Sequence, residues 1–284
     1  MKFSHHAVAY LDILGFSNFV ENAEKNSDKL QQLDKLFNEV IPREVSLDGK
    51  NSTYPEIFGM KCLSISDSFI ISAPISEHPT HTALVAVSMK AIQIAHALLD
   101  MGFLVRGAIA VGNVYRTDFN ILGTAYQEAV EGEKNAVNPQ IVLTESAEQN
   151  LSEFINNGGV KFSTFTKNEL GKTILNSIHP EQSYLPDPHG DANAYFKQYR
   201  DTILENLSHK DTKARSKWLW FAGLFNANVL YFSTIEKTML IDTELPNITI
   251  NYLNPPSEKS DWIQDLQKEL LRQSSTNHLI QMPK

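Results

Sequence analysis

The stretch Ala7–Phe19, AVAYLDILGFSNF, sets the terms for the rest of the chain. Its apolar residues begin in alternation, Ala7-Val8-Ala9-Tyr10-Leu11, which is the pattern of a buried strand. The strand delivers one carboxylate, Asp12, at its end, and Gly15 follows after two apolar residues. Phe16, Phe19 and Val20 then take up helical spacing. A bare charge is costly to bury. Asp12 therefore needs a cation, a turn rich in donors, or water.

Downstream, Leu30, Leu33, Leu36, Phe37, Val40 and Ile41 mark a helical face within Asn26–Val45, and the polar Ser46–Pro55 reads as a loop. Ile57–Ile65 and Phe69–Ile71 are strand-like runs around Ser66-Asp67-Ser68, a hairpin with Asp67 at its tip. Thr80–Met101 is a long apolar helix ending at Gly102. Phe103–Val111 is a strand closed by Gly112, followed by Ile121–Gly123 and a helix over Ala125–Asn135 with Ala129 and Val130 inward. A short strand, Ile141–Leu143, precedes a helix capped by Thr144.

This order has too many strands for a doubly wound parallel sheet, and it contains a hairpin. It predicts an α+β fold, a ferredoxin-like mixed or antiparallel sheet with helices on one face, over residues 1–153. Residues 154–284 read as a C-terminal α/β extension packed on that domain. In it, Ile178–Ala192 is a loop, and Asn193–Leu207 and Asp211–Ala227 are helices. Val229–Tyr252 has strand-like runs, Ser260–Gln273 is a polar helix, and the tail beyond Ser274 frays.

Composition excludes several classes. With 42% apolar and 20% charged residues the 284-residue chain is of globular type, and no apolar run is expected to span a membrane. A net charge of −8 argues against nucleic acid or an anionic membrane as partner, though one phosphorylated ligand needs only a local positive site. The lone Cys62 and the lack of a signal-like N-terminus lead to an expected cytoplasmic location.

A folded sheet can bring Asp67 beside Asp12. Two such carboxylates repel unless one is protonated or a cation sits between them, and hard divalent ions such as Mg²⁺ or Mn²⁺ suit carboxylate and carbonyl oxygens. Taken singly, Asp12 could cap the following helix and Asp67 could be an ordinary turn residue. In this strand context the pair points to metal.

At these residues the chain resembles the class III nucleotide cyclases. Asp12-Ile13-Leu14-Gly15-Phe16 looks like that family's first metal motif, and Ser66-Asp67-Ser68 stands at its second metal aspartate, with serine where glycine is usual. Arg106-Gly107-Ala108-Ile109-Ala110-Val111-Gly112 matches the following strand, and Gly123–Glu131 overlies the active-site helix. The resemblance covers about residues 5–150.

The resemblance implies that Asp12 and Asp67 bridge two divalent cations, Mn²⁺ or Mg²⁺, with the Ile13 carbonyl as a further ligand. Amides of Leu14, Gly15 and Phe16 at a helix start would take the β- and γ-phosphates. It further implies a head-to-tail homodimer with shared sites, in which the partner supplies the base-reading side.

Departures from the family pattern lie in that half. The family's base-reading lysine falls at Leu63, with Lys61 two residues earlier, and its second selector falls at Asn120. An asparagine both donates and accepts, which suits uracil or cytosine. The helix asparagine and arginine of the family fall at Gln127 and Glu131, leaving Arg106, Arg116 or Lys134 to supply the missing cation.

LDILGF, SDS, VRGAI and a loop ending Asn138-Pro139-Gln140-Ile141 together look most like the pyrimidine cyclases of bacterial antiphage defence, the Pycsar type. That resemblance implies conversion of UTP, ahead of CTP, to a cyclic monophosphate read by a separate effector. A purine cyclase, or an inactive cyclase-like binding or dimerisation module, are the alternatives. His5 and His6 read as strand-edge residues, Trp218 and Trp220 as packing anchors, and Lys210–Lys217 as a solvated basic face.

Overall fold

A computed structural model describes residues 2–35, 37–38, 59–75, 83–156, 164–181, 184–187, 189–242 and 245. The Ser46–Pro55 loop, most of Leu36–Val45, the starts of the strand at 57 and the helix at 80, the polar helix Ser260–Gln273 and the tail lie outside these residues.

Strand β1 is Ser4–Leu14, and helices α1 (Phe16–Ala23) and α2 (Ser27–Lys35) follow it. The hairpin β2 (Lys61–Ile65) and β3 (Ser68–Pro74) turns through Ser66 and Asp67. Helix α3 (Ala83–Asp100) leads to β4 (Leu104–Arg116), β5 (Ile121–Gly123) and α4 (Thr124–Asn135), then β6 (Ile141–Leu143) and α5 (Glu145–Asn156).

The first four strands lie in the order β2-β3-β1-β4, with every neighbour antiparallel. That is the arrangement of two interleaved βαβ units, the ferredoxin-like core expected from the element order. Strand β6 adds parallel to β4, which makes the sheet mixed, and β5 pairs back on the end of β4.

Alternation along β1 decides what lies on each face. Ala7, Ala9, Leu11 and Ile13 enter one core with Phe16 of α1, the apolar length of α3, and Ala147 and Leu151 of α5. Val8 packs the other way with Ile70, Ala110 and Val114, against Ala125 and Ala129 of α4. The ferredoxin-like face is therefore covered by α1, α3 and α5, and α4 crosses the opposite face. Asp12 shares parity with Val8 and Tyr10, so its side chain belongs to the α4 face.

Two glycines are required by the backbone. Gly15 turns the chain from β1 into α1 at φ +80, in the left-handed region. At Gly107 a Cβ would stand 2.5 Å from the Tyr10 carbonyl oxygen, so a side chain there would prise β4 from β1.

Several expectations change. Asp12 is not the last residue of its strand, because β1 runs on through Leu14. Strand β4 passes through Gly112 to Arg116, its pairing with β1 and β5 carrying it across the glycine. Two short strands, β7 (Phe165–Lys167) and β8 (Thr173–Leu175), extend the sheet beyond β6, so the sheet crosses residue 153. Helix α3 is long and apolar enough to cross a membrane by length and composition, a feature the sequence reading passed over. Of that helix 83% is buried inside the fold, as the core helix against β1, β3 and β4.

Helices α6 (Ala192–Leu207) and α7 (Thr212–Tyr231) complete the described chain, with a 3₁₀ turn over Lys237–Met239. Asp191 and Asp211 cap them, each side chain accepting a bond from the backbone N–H two residues on. No strand forms between Val229 and Asp242, where strand-like runs were expected, because Val229–Tyr231 continues α7. Trp218, Phe221 and Leu224 of α7 pack with Leu104, Ala108, Val142 and Ile174 of the sheet. Trp218 and Trp220 are thus packing anchors, as read; a fully buried aromatic of this kind stabilises by roughly 1.5–3 kcal/mol. Helix α6 packs on α7 and reaches α3, where the Tyr199 hydroxyl bonds His96 Nδ1 at 3.0 Å.

Candidate active site

The site forms where three strands end together. Register places Asp12 of β1 between Ser68 of β3 and Arg106 of β4. Asp67 is tied into the same corner through its backbone, its carbonyl accepting a bond from Ile13 N–H at 2.9 Å. Ser66 makes the turn at φ +55, an uncommon conformation for a residue other than glycine. Tyr10 and Ser68 hydroxyls bond each other at 2.8 Å and fix the neighbouring surface.

A third carboxylate completes the corner. Glu133 of α4 is almost wholly buried, and its Oε1 accepts from Arg106 Nε at 2.6 Å, with Nη2 in contact as well. The same guanidinium stands 3.9 Å from Asp12 Oδ2. Glu133 is absent from the sequence reading, but its signal was there. Ala125, Ala129 and Glu133 recur at intervals of four along the inward stripe of α4, and the third is charged.

Asp12 and Glu133 thus share one guanidinium, with Asp67 adding a third negative charge beside Asp12. Asp12 carries the consequence: its pKa is pushed up to about 6, chiefly by burial, then by the charges of Glu133 and Asp67. Arg106 and Lys217, a residue of α7, act in the opposite sense. Among the described residues no group of three or more His, Cys, Asp or Glu side chains is placed to hold a metal. A divalent cation here would bind two carboxylates and backbone or substrate oxygens, with Glu133 committed to Arg106. The surplus negative charge and the oxygen-only donor set fit a hard cation.

Beside this corner, Gly15 caps α1 and, having no side chain, makes no cap bond to its first-turn amides. The Phe16 side chain is in the core, stacked near Phe19 and tilted against Phe103. The Ile13 side chain is likewise buried, and Leu14 packs against the cluster that includes Leu104 of β4 and Trp218 of α7.

The expected base-reading residues lie elsewhere. Leu63 is part-buried beside Val8 and Ile70. Asn120 is exposed in the β4–β5 turn, its carbonyl bonded to Thr117 N–H at 2.9 Å. Arg106 and Arg116 are ten residues apart on one strand, about 33 Å at the usual rise, so Asn120 lies far along β4 from Asp12. Gln127 and Glu131 are exposed on α4, as is Lys134. One chain therefore does not bring Asn120 to Asp12.

The turn that holds Asn120 carries an ion pair the sequence reading missed. Lys61 bonds Asp118 across from β2, and these residues precede Leu63 and Asn120 by two positions each. Arg116 lies in the same region, where Asp118 acts on its charge, and its three guanidinium nitrogens are shielded from solvent with no hydrogen-bond partner among the described residues. His6, expected to be an edge residue, is buried, with Nε2 bonded to Ser4 Oγ at 2.9 Å.

No protein-family model matches the chain. No curated protein matches it. Solved structures do. An adenylate/guanylate cyclase/hydrolase from Silicibacter pomeroyi is 15% identical over 62% of this chain and 95% of its own, at a TM-score of 0.40. The guanylyl cyclase Cya2 is 12% identical over 61% and 90%, at 0.41. The guanylate cyclase domain of RhGC from Catenaria anguillulae, in complex with GTP, is 17% identical over 61% and 96%, at 0.38. Similarity this low in sequence and superposition leaves function to be argued from Asp12, Asp67 and their neighbours.

Proposed function

We propose that this protein is a nucleotide cyclase of the class III type, acting on a pyrimidine nucleoside triphosphate, UTP ahead of CTP. The observation that carries the reading is the corner itself. Asp12 and Asp67 are held together beside Glu133, with more negative charge than Arg106 balances and an Asp12 pKa raised to about 6. Polypeptides assemble such surplus charge where a cation will bind.

In the reaction, the ribose 3′-oxygen attacks the α-phosphorus of its own nucleotide. The new oxygen–phosphorus bond forms as the bond to the β-phosphate oxygen breaks; pyrophosphate leaves with that electron pair and the hydroxyl proton passes to water. Bound Mn²⁺ or Mg²⁺ would lower the pKa of the 3′-hydroxyl and neutralise phosphate charge. Asp12 and Asp67, with the Ile13 carbonyl, would hold the ions. The amides of Leu14, Gly15 and Phe16 receive the terminal phosphates at the α1 N-terminus. Arg106, pinned by Glu133, orients Asp12 from the opposite strand.

Base selection falls to the β4–β5 end. Asn120 offers a donor and an acceptor, and the Lys61–Asp118 pair and Leu63 flank it. Because that end lies far from Asp12 within one chain, a head-to-tail homodimer supplies Asn120 and Gln127 from the second copy. The cyclic pyrimidine product would act in the cytoplasm as an antiviral signal to a separate effector.

One observation favours the inactive-module reading: α4 carries exposed Glu131 where an arginine is expected, and Arg106 is already paired. The experiment is direct. Pure protein is incubated with each of the four NTPs and Mn²⁺, and cyclic product and pyrophosphate are measured. Cyclic UMP or CMP is expected; a purine product would replace the base assignment, and no product from any NTP would leave the binding module.

A further inference from the structure

The C-terminal extension has no role in the reaction as described, yet it reaches the carboxylate corner. Trp218 and Phe221 of α7 pack in one cluster with Leu14, with Leu104 and Ala108 on either side of Arg106, and with Ala136 at the end of α4. This shared cluster places the N-terminal half of α7 over the sheet face that carries Asp12 and Arg106, since Leu14 shares strand parity with Asp12, and Leu104 and Ala108 share it with Arg106. Lys217 precedes Trp218 and lies one helical turn before Phe221, so it rides the edge of the packed face. It is half-buried, its charge acts on the Asp12 carboxylate, and no hydrogen bond or ion pair of Lys217 is found among the described residues.

The site needs such a group. A triphosphate brought to Asp12, Asp67 and Glu133 meets three like charges. Arg106 is held by Glu133, Arg116 is at the other end of β4, and Lys134 is exposed on α4. The basic run Lys210–Lys217, read from the sequence as a solvated face, ends at the one position beside the corner. Lys213 lies one turn earlier on the same side of α7 and Arg215 is exposed nearby, making a positive approach to it.

We propose that Lys217 holds the polyphosphate of the substrate over Asp12, so that the C-terminal extension supplies from the same chain the cation that α4 lacks. This rests on the nucleotide-cyclase reading for its substrate, and on the packing of α7 for its geometry. An ammonium group suits the task, being a compact charge that phosphate oxygens can share.

The test uses the full chain and two probes that need no turnover, inorganic tripolyphosphate and α,β-methylene-UTP, titrated calorimetrically with Mn²⁺ present. Lys217→Met should weaken both at least tenfold, Lys217→Arg should restore most of the affinity, and Lys210→Met should match wild type. Uridine, which has no phosphate, should bind wild type and Lys217→Met alike. Thermal melts establish that the variants fold. Wild-type affinity in Lys217→Met, or no tripolyphosphate binding by wild type, overturns the proposal. The outcomes separate it from the reading it rests on. Lys217-dependent polyphosphate binding without cyclisation keeps Lys217 and removes the cyclase. Cyclisation with unaltered binding and kcat/KM in Lys217→Met does the reverse.

Discussion

Asp12 and Arg106 face each other directly across the β1–β4 ladder, but Arg106 gives its Nε bond to Glu133 and leaves Asp12 at 3.9 Å. The guanidinium serves the buried carboxylate first. Arg106 still acts to lower the Asp12 pKa, but burial first, and then the charges of Glu133 and Asp67, outweigh it and push the value up to about 6.

Replacing Glu133 with Gln tests this arrangement. The amide keeps an acceptor for Arg106 but removes a negative charge from the corner. The Asp12 pKa should fall from about 6 toward the ordinary carboxylate range, seen as an acid shift in its carboxyl NMR titration. Stability should drop by about 2 kcal/mol, less than the ~3–5 kcal/mol of a fully buried broken pair, because the Arg106 side chain keeps 24% exposure. An unmoved Asp12 titration would show that Glu133 does not set its charge state.

Asp12 itself should destabilise the fold at neutral pH. Its folded pKa of about 6 lies above its unfolded value, so the folded chain prefers the protonated form. The penalty is full above pH 6 and is relieved as pH falls toward 3.8. Asp12→Asn should therefore raise stability at pH 7.5 by on the order of 2 kcal/mol, with the gain shrinking to nothing by about pH 4. Mn²⁺ should raise the wild-type Tm and leave Asp12→Asn nearly unmoved. Equal Mn²⁺ stabilisation of both proteins would take Asp12 out of the metal site.

The histidines at the α3–α6 junction act with the opposite sign. His96 Nε2 donates to the His179 carbonyl and its Nδ1 accepts from the Tyr199 hydroxyl, and both rings are buried and neutral. Burial lowers the pKa of His96 to about 4 and of His179 to about 3. Their contribution is complete above the unfolded value near 6.5 and is lost as pH falls through that value toward 4 and 3. Wild type should lose stability between pH 6.5 and 5, and His96→Gln should lose less over that interval. Parallel melting curves for the two proteins would assign the acid sensitivity elsewhere.

The corner was partly legible because strand alternation places Asp12, and turn chemistry places Asp67, without knowledge of distant packing. The β2-β3-β1-β4 core follows from the same local patterns. Glu133 was not read because a charged residue on an inward helical stripe looks like an error until Arg106 appears opposite it. Lys217 was unreadable for a different reason: α7 joins the cluster on the Asp12 face through tertiary packing alone, and a basic run at a helix start resembles any solvated face. β7 and β8 are three residues each, too short for alternation to register.

Separation of Asn120 from Asp12 along β4 leads to the last prediction, complementation between defective chains. Asp12→Asn removes the metal half of a site and Asn120→Ala the base half, so each homodimer alone should fail to make cyclic pyrimidine. If the two halves come from different chains, a mixed dimer contains one doubly damaged site and one intact site. Random mixing then restores about a quarter of wild-type activity. The exposed Phe119 at the β4–β5 tip, 89% accessible beside exposed Leu122, is the apolar surface such a pairing would cover. Phe119→Asp should abolish the rescue and shift the protein to monomer in sedimentation. Activity that neither variant loses, or no rescue from a mixture confirmed to be dimeric, would mean that each chain completes its own site.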